Sequence, residues 1–246
     1  MRWWLQALVV LWLAPIAFAK APPPPASPAS SAPPPVSKPT KLITVVAADW
    51  ASTTGELRRW ERAGRKWLPV GAPVPVVLGR AGLAWPADKH EGDGRSPAGR
   101  LGLGDATGYD EAPRGMHLLY WHADDESLRC VDDPKSPMYN ELIDTSLLSH
   151  EPPWTSDEHM HRDDELYRYT IFVRHNPTRT PGAGSCIFLH VWRDETSPTL
   201  GCTAMPLVAM SELITWVTNQ TELVQLPREE YAKRQRAWGL PALQRK

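Results

Sequence analysis

Cysteine is scarce, with 3 residues in 246. That is too few for the disulfide framework of a small secreted domain, and an odd number cannot all pair within one chain. Charge of one sign is lacking as well. The 27 Lys and Arg against 28 Asp and Glu leave a formal net charge of −1, and no long basic block occurs. The chain therefore has no electrostatic footprint for nucleic acid or for an anionic membrane surface. Beyond the first twenty or so residues no apolar run is long enough to span a bilayer, and there is no internal repeat. With 42% apolar and 22% charged residues, the composition suits one globular domain with short appendages.

The appendages are at the ends. Residues Met1 to Ala19 join one basic residue, Arg2, to an apolar run from Trp3 to Ile16 and then Ala17-Phe18-Ala19, the small-x-small pattern of an export signal cleaved after Ala19. An uncleaved anchor is the alternative, but about 14 apolar residues fall short of the ~20 that span a bilayer. The expectation is an exported protein of the periplasm or cell wall, with no stable membrane span after cleavage. Residues 20–40 are Pro, Ala and Ser with little to bury, so they read as a semi-extended linker. A domain over 41–227 and a helical tail over 228–246 complete the chain.

Within the domain, β-branched and alternating runs predict strands. They fall at Leu42–Val46, Glu56–Arg62, Pro73–Gly79, Leu118–Trp121, Tyr167–Val173, Cys186–Val191 and Glu222–Leu226. Helices are predicted over Pro206–Val217, where Pro is early and apolar residues follow helical spacing, and over Arg228–Trp238, which stops before Gly239. The class is mainly β, with a few peripheral helices.

One leftover thiol is required by the count. Cys202 lies in Thr199-Leu200-Gly201-Cys202, with a predicted helix start just after it at Pro206. A helix N-terminus and a nearby imidazole would both favour the thiolate. Backbone N–H groups at Gly201 and Cys202 could face a developing oxyanion. Twelve residues upstream, His190 closes a predicted strand, and the polar loop between them lets the side chains meet. A structural His and a buried Cys are the plainer reading of the same residues.

Two blocks narrow the choice. Gly184-Ser185-Cys186-Ile187-Phe188-Leu189-His190, followed by Ser197-Pro198-Thr199-Leu200-Gly201-Cys202, resembles the His…(Ser/Thr)-x-Gly-Cys signature of the YkuD family, the L,D-transpeptidase catalytic domain. Upstream, Lys89 to Gly104 is similar to that family's Lys-x-x-Gly-x-x-(Ser/Thr)-Pro-x-Gly-x-(Phe/Tyr) segment, with Ser96-Pro97-Ala98-Gly99 at its centre here. Its glycines and Pro97 predict a loop.

The resemblance covers roughly Leu42 to Leu226. It implies an L,D-transpeptidase-like β-sandwich, monomeric, with no metal and no organic cofactor. Cys202 would be the nucleophile and His190 the general base, acting on peptidoglycan stem peptides through a thioester. An amine acceptor gives 3→3 crosslinks or attachment; water gives L,D-carboxypeptidase or amidase activity. Gly201, Thr199 and Ser197 would serve the oxyanion or orient the imidazole, a role that a backbone carbonyl often fills in the family. Lys89, Gly92, Pro97 and Gly99 would shape one wall of the cleft, and Asn176 would contribute to it. Thr203 and Ala204 stand where the family commonly has an aliphatic residue and then Arg or Asn, and Leu200 stands where many members have His.

Other constellations have competing readings. In an oxidising compartment Cys130 and Cys186 would pair and leave Cys202 free; two reduced buried thiols are the alternative. Asp132, Asp133, Tyr139 and Asn140 could line a cleft, though Asp-Asp-Pro also reads as a turn. His159-Met160-His161, with His90 and Asp93, would suit a zinc peptidase, while the polarity of 155–164 suggests a solvated loop or short helix. A non-catalytic wall-binding module is the alternative from outside enzymology.

Overall fold

The computed structural model describes residues 39–243. The expected export signal, the linker up to residue 38 and the last three residues of the tail lie outside the described residues. Fourteen strands occur among those described. Up to residue 97 these are β1 (Lys41–Ala47), β2 (Thr54–Ala63), β3 (Lys66–Val77), β4 (Leu83–Ala84) and β5 (Ser96–Pro97). Next come β6 (Gly99–Gly108), β7 (Tyr120–His122), β8 (Leu128–Val131), β9 (Leu142–Asp144) and β10 (Asp157–His159). The last four are β11 (Tyr169–Arg174), β12 (Phe188–Val191), β13 (Thr203–Met205) and β14 (Thr221–Pro227). Two α-helices, α1 (Leu207–Trp216) and α2 (Arg228–Trp238), and three single-turn 3-10 helices complete the described elements.

Strand β1 is apolar on both faces, and six of its seven residues are buried. It pairs antiparallel with β2 and parallel with β14, so both backbone edges are satisfied. From there the ladder runs β14, β6, β11, β12, β13, β3 and back to β2. The β6–β11 pairing closes the ring at eight strands, leaving β7 as an outer addition on β6. Inside it pack Ile43, Val45, Leu57, Leu101, Ile171, Leu189, Met205 and Leu223. A second, small sheet, β10-β8-β9, stands apart from the ring.

The mainly β expectation holds, but the hydrogen bonding closes one sheet on itself rather than leaving two sheets face to face, which corrects the sandwich. The difference comes from β6. Its sequence, Gly-Arg-Leu-Gly-Leu-Gly-Asp-Ala-Thr-Gly, predicts a loop because glycine weakens strands. Here the missing side chains make room for the neighbouring strand: a Cβ at Gly104 would meet Phe172 Cβ at 3.2 Å and Arg174 Nε at 3.0 Å. Segment 157–161 departs from expectation too, because β10 pairs with β8 and Met160 is fully buried beneath it. Strand β12 begins two residues late, since Cys186 has a φ of 52°. Helix α2 runs over the expected residues and ends at Gly239 in the left-handed conformation, φ 63°.

Just beyond β3 the backbone packs tightly against residues 94–96. Gly79 N–H donates to Ser96 Oγ at 2.9 Å, and a Cβ on Gly79 would meet the Gly94 carbonyl, Ser96 N at 2.8 Å and the Arg95 carbonyl carbon at 2.9 Å. All of the atoms that such a Cβ would meet are backbone and cannot swing away. Gly79→Ala should therefore cost about 2–4 kcal/mol, seen as a lowered melting temperature; a variant as stable as the parent would contradict this packing.

Candidate active site

Strands β12 and β13 pair in parallel, with Leu189 opposite Thr203, His190 opposite Ala204 and Val191 opposite Met205. Strand alternation then divides the side chains. Leu189, Val191 and Met205 enter the barrel core, while Phe188 packs with Cys202, Cys186 and Tyr167 on the other side. His190 and Ala204 line the same cleft as Cys202, which directly precedes β13. The cleft measures about 810 Å³, within the span of small-ligand sites.

The turn that presents Cys202 is fixed by its own hydroxyls. Thr199 Oγ1 accepts from Gly201 N–H at 3.1 Å and donates to the Cys202 carbonyl at 2.6 Å; Ser96 Oγ donates to the same carbonyl at 2.8 Å. The loop is stitched to the end of β3 by Thr199 N–H to Leu78 O at 2.9 Å and Arg80 N–H to Thr199 O at 2.8 Å. Gly201 has a φ of 150°, and a Cβ there would press on Arg95 O at 3.2 Å and Ile187 Cδ1 at 3.1 Å. Glycine is required at this position for both reasons.

Burial dominates the electrostatics. The Cys202 thiol is pushed up to about 12 by desolvation and by the nearby Glu158 carboxylate, against the Phe188 N–H and Lys89, which favour the thiolate. Its sulfur accepts from Phe188 N–H at 3.3 Å and donates to Cys186 O at 3.7 Å. The imidazole is not among its hydrogen-bond partners. Desolvation likewise brings His190 down to about 4, although the Val191 and Leu166 carbonyls work the other way. At neutral pH both groups are uncharged. The expected thiolate is therefore corrected: α1 starts at Leu207, beyond β13, so no helix N-terminus adjoins the sulfur.

His190 Nδ1 lies 2.8 Å from Val191 O. A carbonyl only accepts, so Nδ1 carries the proton and Nε2 keeps its lone pair. The orienting group is this carbonyl, and neither Thr199 nor Ser197. Ser197 Oγ donates to Asp194 Oδ2 at 2.7 Å. Gly201 N–H is taken by Thr199 and is not free to meet an oxyanion.

The upstream block divides in two. Lys89 and Gly92 line the cleft, and the buried Lys89 ammonium pairs with Asp93 Oδ1 at 2.7 Å. Burial opposes ionisation of Asp93, yet Lys89 and the Arg95 and His90 N–H groups hold it below its ordinary value. Pro97 and Gly99 lie in strands away from the cleft, where the Pro97 carbonyl accepts from Gln225 Nε2 at 2.9 Å. Asn176 is spent on backbone, donating to Thr180 O at 3.0 Å and Gly184 O at 3.1 Å and accepting from Thr180 N–H at 2.9 Å. It braces the loop before Cys186 and has no amide proton left for a ligand.

Cys130 and Cys186 form a disulfide, with Cα atoms 5.9 Å apart. It ties β8 to the segment entering β12, and Asn140 Oδ1 accepts from Cys186 N–H at 3.0 Å beside it. Of the acidic candidates only Asp132 lines the cleft. Asp133 caps a turn through the Lys135 and Thr155 N–H groups, both at 2.9 Å. Tyr139 donates to Glu91. The zinc set is dispersed: His90 and His159 are exposed, His161 Nδ1 lies 2.7 Å from Ala123 O, and the described residues hold no cluster of three or more metal-ligating side chains.

Sequence reasoning passed over Glu158, Arg162 and Glu91, all of which line the cleft. Glu158 is raised to about 7 because its carboxylate is shielded from water, against a hydrogen bond from Tyr167 and the charge of Arg162. The Tyr167 ring meets His190 edge-on, with centroids 5.3 Å apart. Only strand alternation about the buried Met160 could have pointed to Glu158.

No protein-family model and no curated protein matches the chain. A similar solved structure is that of Bd1075 from Bdellovibrio bacteriovorus. It is 14% identical with a TM-score of 0.42, over 82% of this chain and 55% of that one, so this chain spans just over half the length of that protein.

Thiol reactivity reads the electrostatics directly. With the thiol raised to about 12, carboxymethylation of Cys202 should be slow at neutral pH and rise about tenfold per pH unit without levelling below pH 10. A rate that reaches its plateau near pH 7 would show a preformed thiolate and contradict the site as described.

Proposed function

We propose that the protein is an exported cysteine acyltransferase of the L,D-transpeptidase type, acting as a monomer on peptidoglycan stem peptides, and that its barrel is a catalytic domain of that kind. One observation carries the reading. Cys202, the free cysteine of the described residues, and His190 stand at adjacent parallel strands and open into one cleft. A disulfide beside the site agrees with an oxidising compartment. No helix among the described residues is long and apolar enough to cross a membrane.

In this mechanism the S–H turns from the Cys186 carbonyl toward His190 Nε2, and its proton moves as sulfur bonds to the scissile carbonyl carbon. The oxyanion takes the Cys202 N–H. His190 then passes the proton to the leaving amine, the C–N bond breaks and a thioester remains on Cys202. A second amine or water, deprotonated by the same Nε2, releases the acyl group and restores the thiol. A diamino-acid stem carries ammonium and carboxylate groups together; Glu91, Asp132 and Glu158 offer the cleft's negative charge, Arg162 and Arg193 its positive charge.

Incubation with disaccharide-tetrapeptide, followed by mass spectrometry, tests the proposal. A dimer joined through third-position residues means transpeptidation, and tripeptide alone means that water is the acceptor. Cys202→Ala should abolish either product, and His190→Gln should slow it by about 100-fold or more. Product surviving in Cys202→Ala, or none from the unaltered protein, would contradict the mechanism.

A further inference from the structure

A second cavity, of about 440 Å³, opens where Trp50, Trp85 and Arg95 come together. The rings of Trp50 and Trp85 form its apolar wall and meet edge to face, centroids 5.2 Å apart. Asp88, Arg95 and Glu230 supply its polar edge. Both tryptophans are half-buried. Among the described residues the Asp88 carboxylate and the Arg95 guanidinium have no hydrogen-bond or ion-pair partner, whereas Glu230 pairs with Arg234 and Lys233.

Aromatic faces beside carboxylates can hold either a cation or a sugar. Charge decides between them. The Arg234 guanidinium already lies over Trp85, 4.7 Å from the ring centroid, so that cation–π position is filled from within. Glu230 is already paired with Arg234 and Lys233, so the unpaired charges of the lining are one of each sign, Asp88 and Arg95, which gives the cavity little net charge to draw an ion. The Trp50 ring together with one free acceptor group and one free fork of donors matches a neutral, polyhydroxylated ring with an apolar face.

We infer that this cavity is a carbohydrate subsite, taking an uncharged pyranose of the N-acetylhexosamine class. It stacks on Trp50, with Trp85 as the flanking wall, while its hydroxyl and amide groups bond to Asp88 and Arg95. Arg95 connects it to the cleft, because it lines this cavity and its carbonyl underlies Gly201, where a Cβ would come within 3.2 Å. In the proposed function, on which this assignment of the sugar rests, the subsite would hold glycan while the cleft holds the attached peptide.

The probe is an N-acetylglucosamine oligomer, titrated into the folded protein and followed by tryptophan fluorescence and by calorimetry. Saturable millimolar or tighter binding is expected, weakened about tenfold by Asp88→Ala and by Trp50→Ala and unchanged by Cys202→Ala. Thermal unfolding of each variant checks that the fold persists, and Asp88→Ala, an exposed change, is the one expected to leave stability intact. Sugar-free tetrapeptide should be turned over equally by the parent and Asp88→Ala. No binding by the parent, or binding that both variants leave untouched, overturns the subsite. Activity on tetrapeptide without oligosaccharide binding would sink the subsite alone, and binding without any activity would sink the acyl-transfer reading alone.

Discussion

The Cys202 carbonyl accepts two hydroxyl hydrogen bonds, from Ser96 and Thr199, at a point closed to water. Two stretches distant in sequence meet there: β5, and the Thr199–Cys202 turn that leads into β13. Each bond is worth only about 1 kcal/mol net, but losing a donor would weaken the satisfaction of a buried acceptor, and the larger consequence is positional. With its carbonyl clamped on one side, Cys202 has its sulfur fixed on the other, toward Phe188 N–H and the cleft. The same Ser96 hydroxyl accepts from Gly79 N–H, so the end of β3 belongs to the device. The parallel β12–β13 ladder then sets the His190 side of the cleft to the same frame.

Burial that fixes the geometry also sets the chemistry. A thiol near 12 and an imidazole near 4 leave both groups neutral over the whole physiological range. Such a resting pair is resistant to adventitious alkylation and oxidation, because the thiolate is the reactive form. Proton transfer is then bound to the attack itself, and an incoming substrate carbonyl has to provide the reason for the sulfur to lose its proton. Glu158, raised to about 7 and close enough to disfavour the thiolate, adds to that resting state.

Local signals in the sequence were legible where one interaction decides the outcome. Helix α2 ends where Gly239 allows a left-handed residue, and β1 is apolar because both of its faces are covered. That Cys202 and His190 share a cleft could be read from a strand, a polar loop and a Gly-Cys turn. The barrel could not, because its closure depends on the pairing of β6 with β11, and the four glycines of β6 imitate a loop unless Phe172 and Arg174 are known to cross them. The roles of Thr199 and Asn176 were equally hidden, since each hydroxyl or amide is claimed by backbone atoms that only the fold brings near. Glu158 lay in a polar stretch whose one apolar marker, Met160, is the residue that roots it in the interior.

His190 rests neutral, with its proton on Nδ1 and held by Val191 O. Nitrogen-15 NMR of the imidazole across a pH titration reads this state. Nδ1 should be protonated and Nε2 bare at pH 7, with no titration until the pH falls toward about 4. A midpoint near the ordinary histidine value, or a proton on Nε2 at neutral pH, would contradict it.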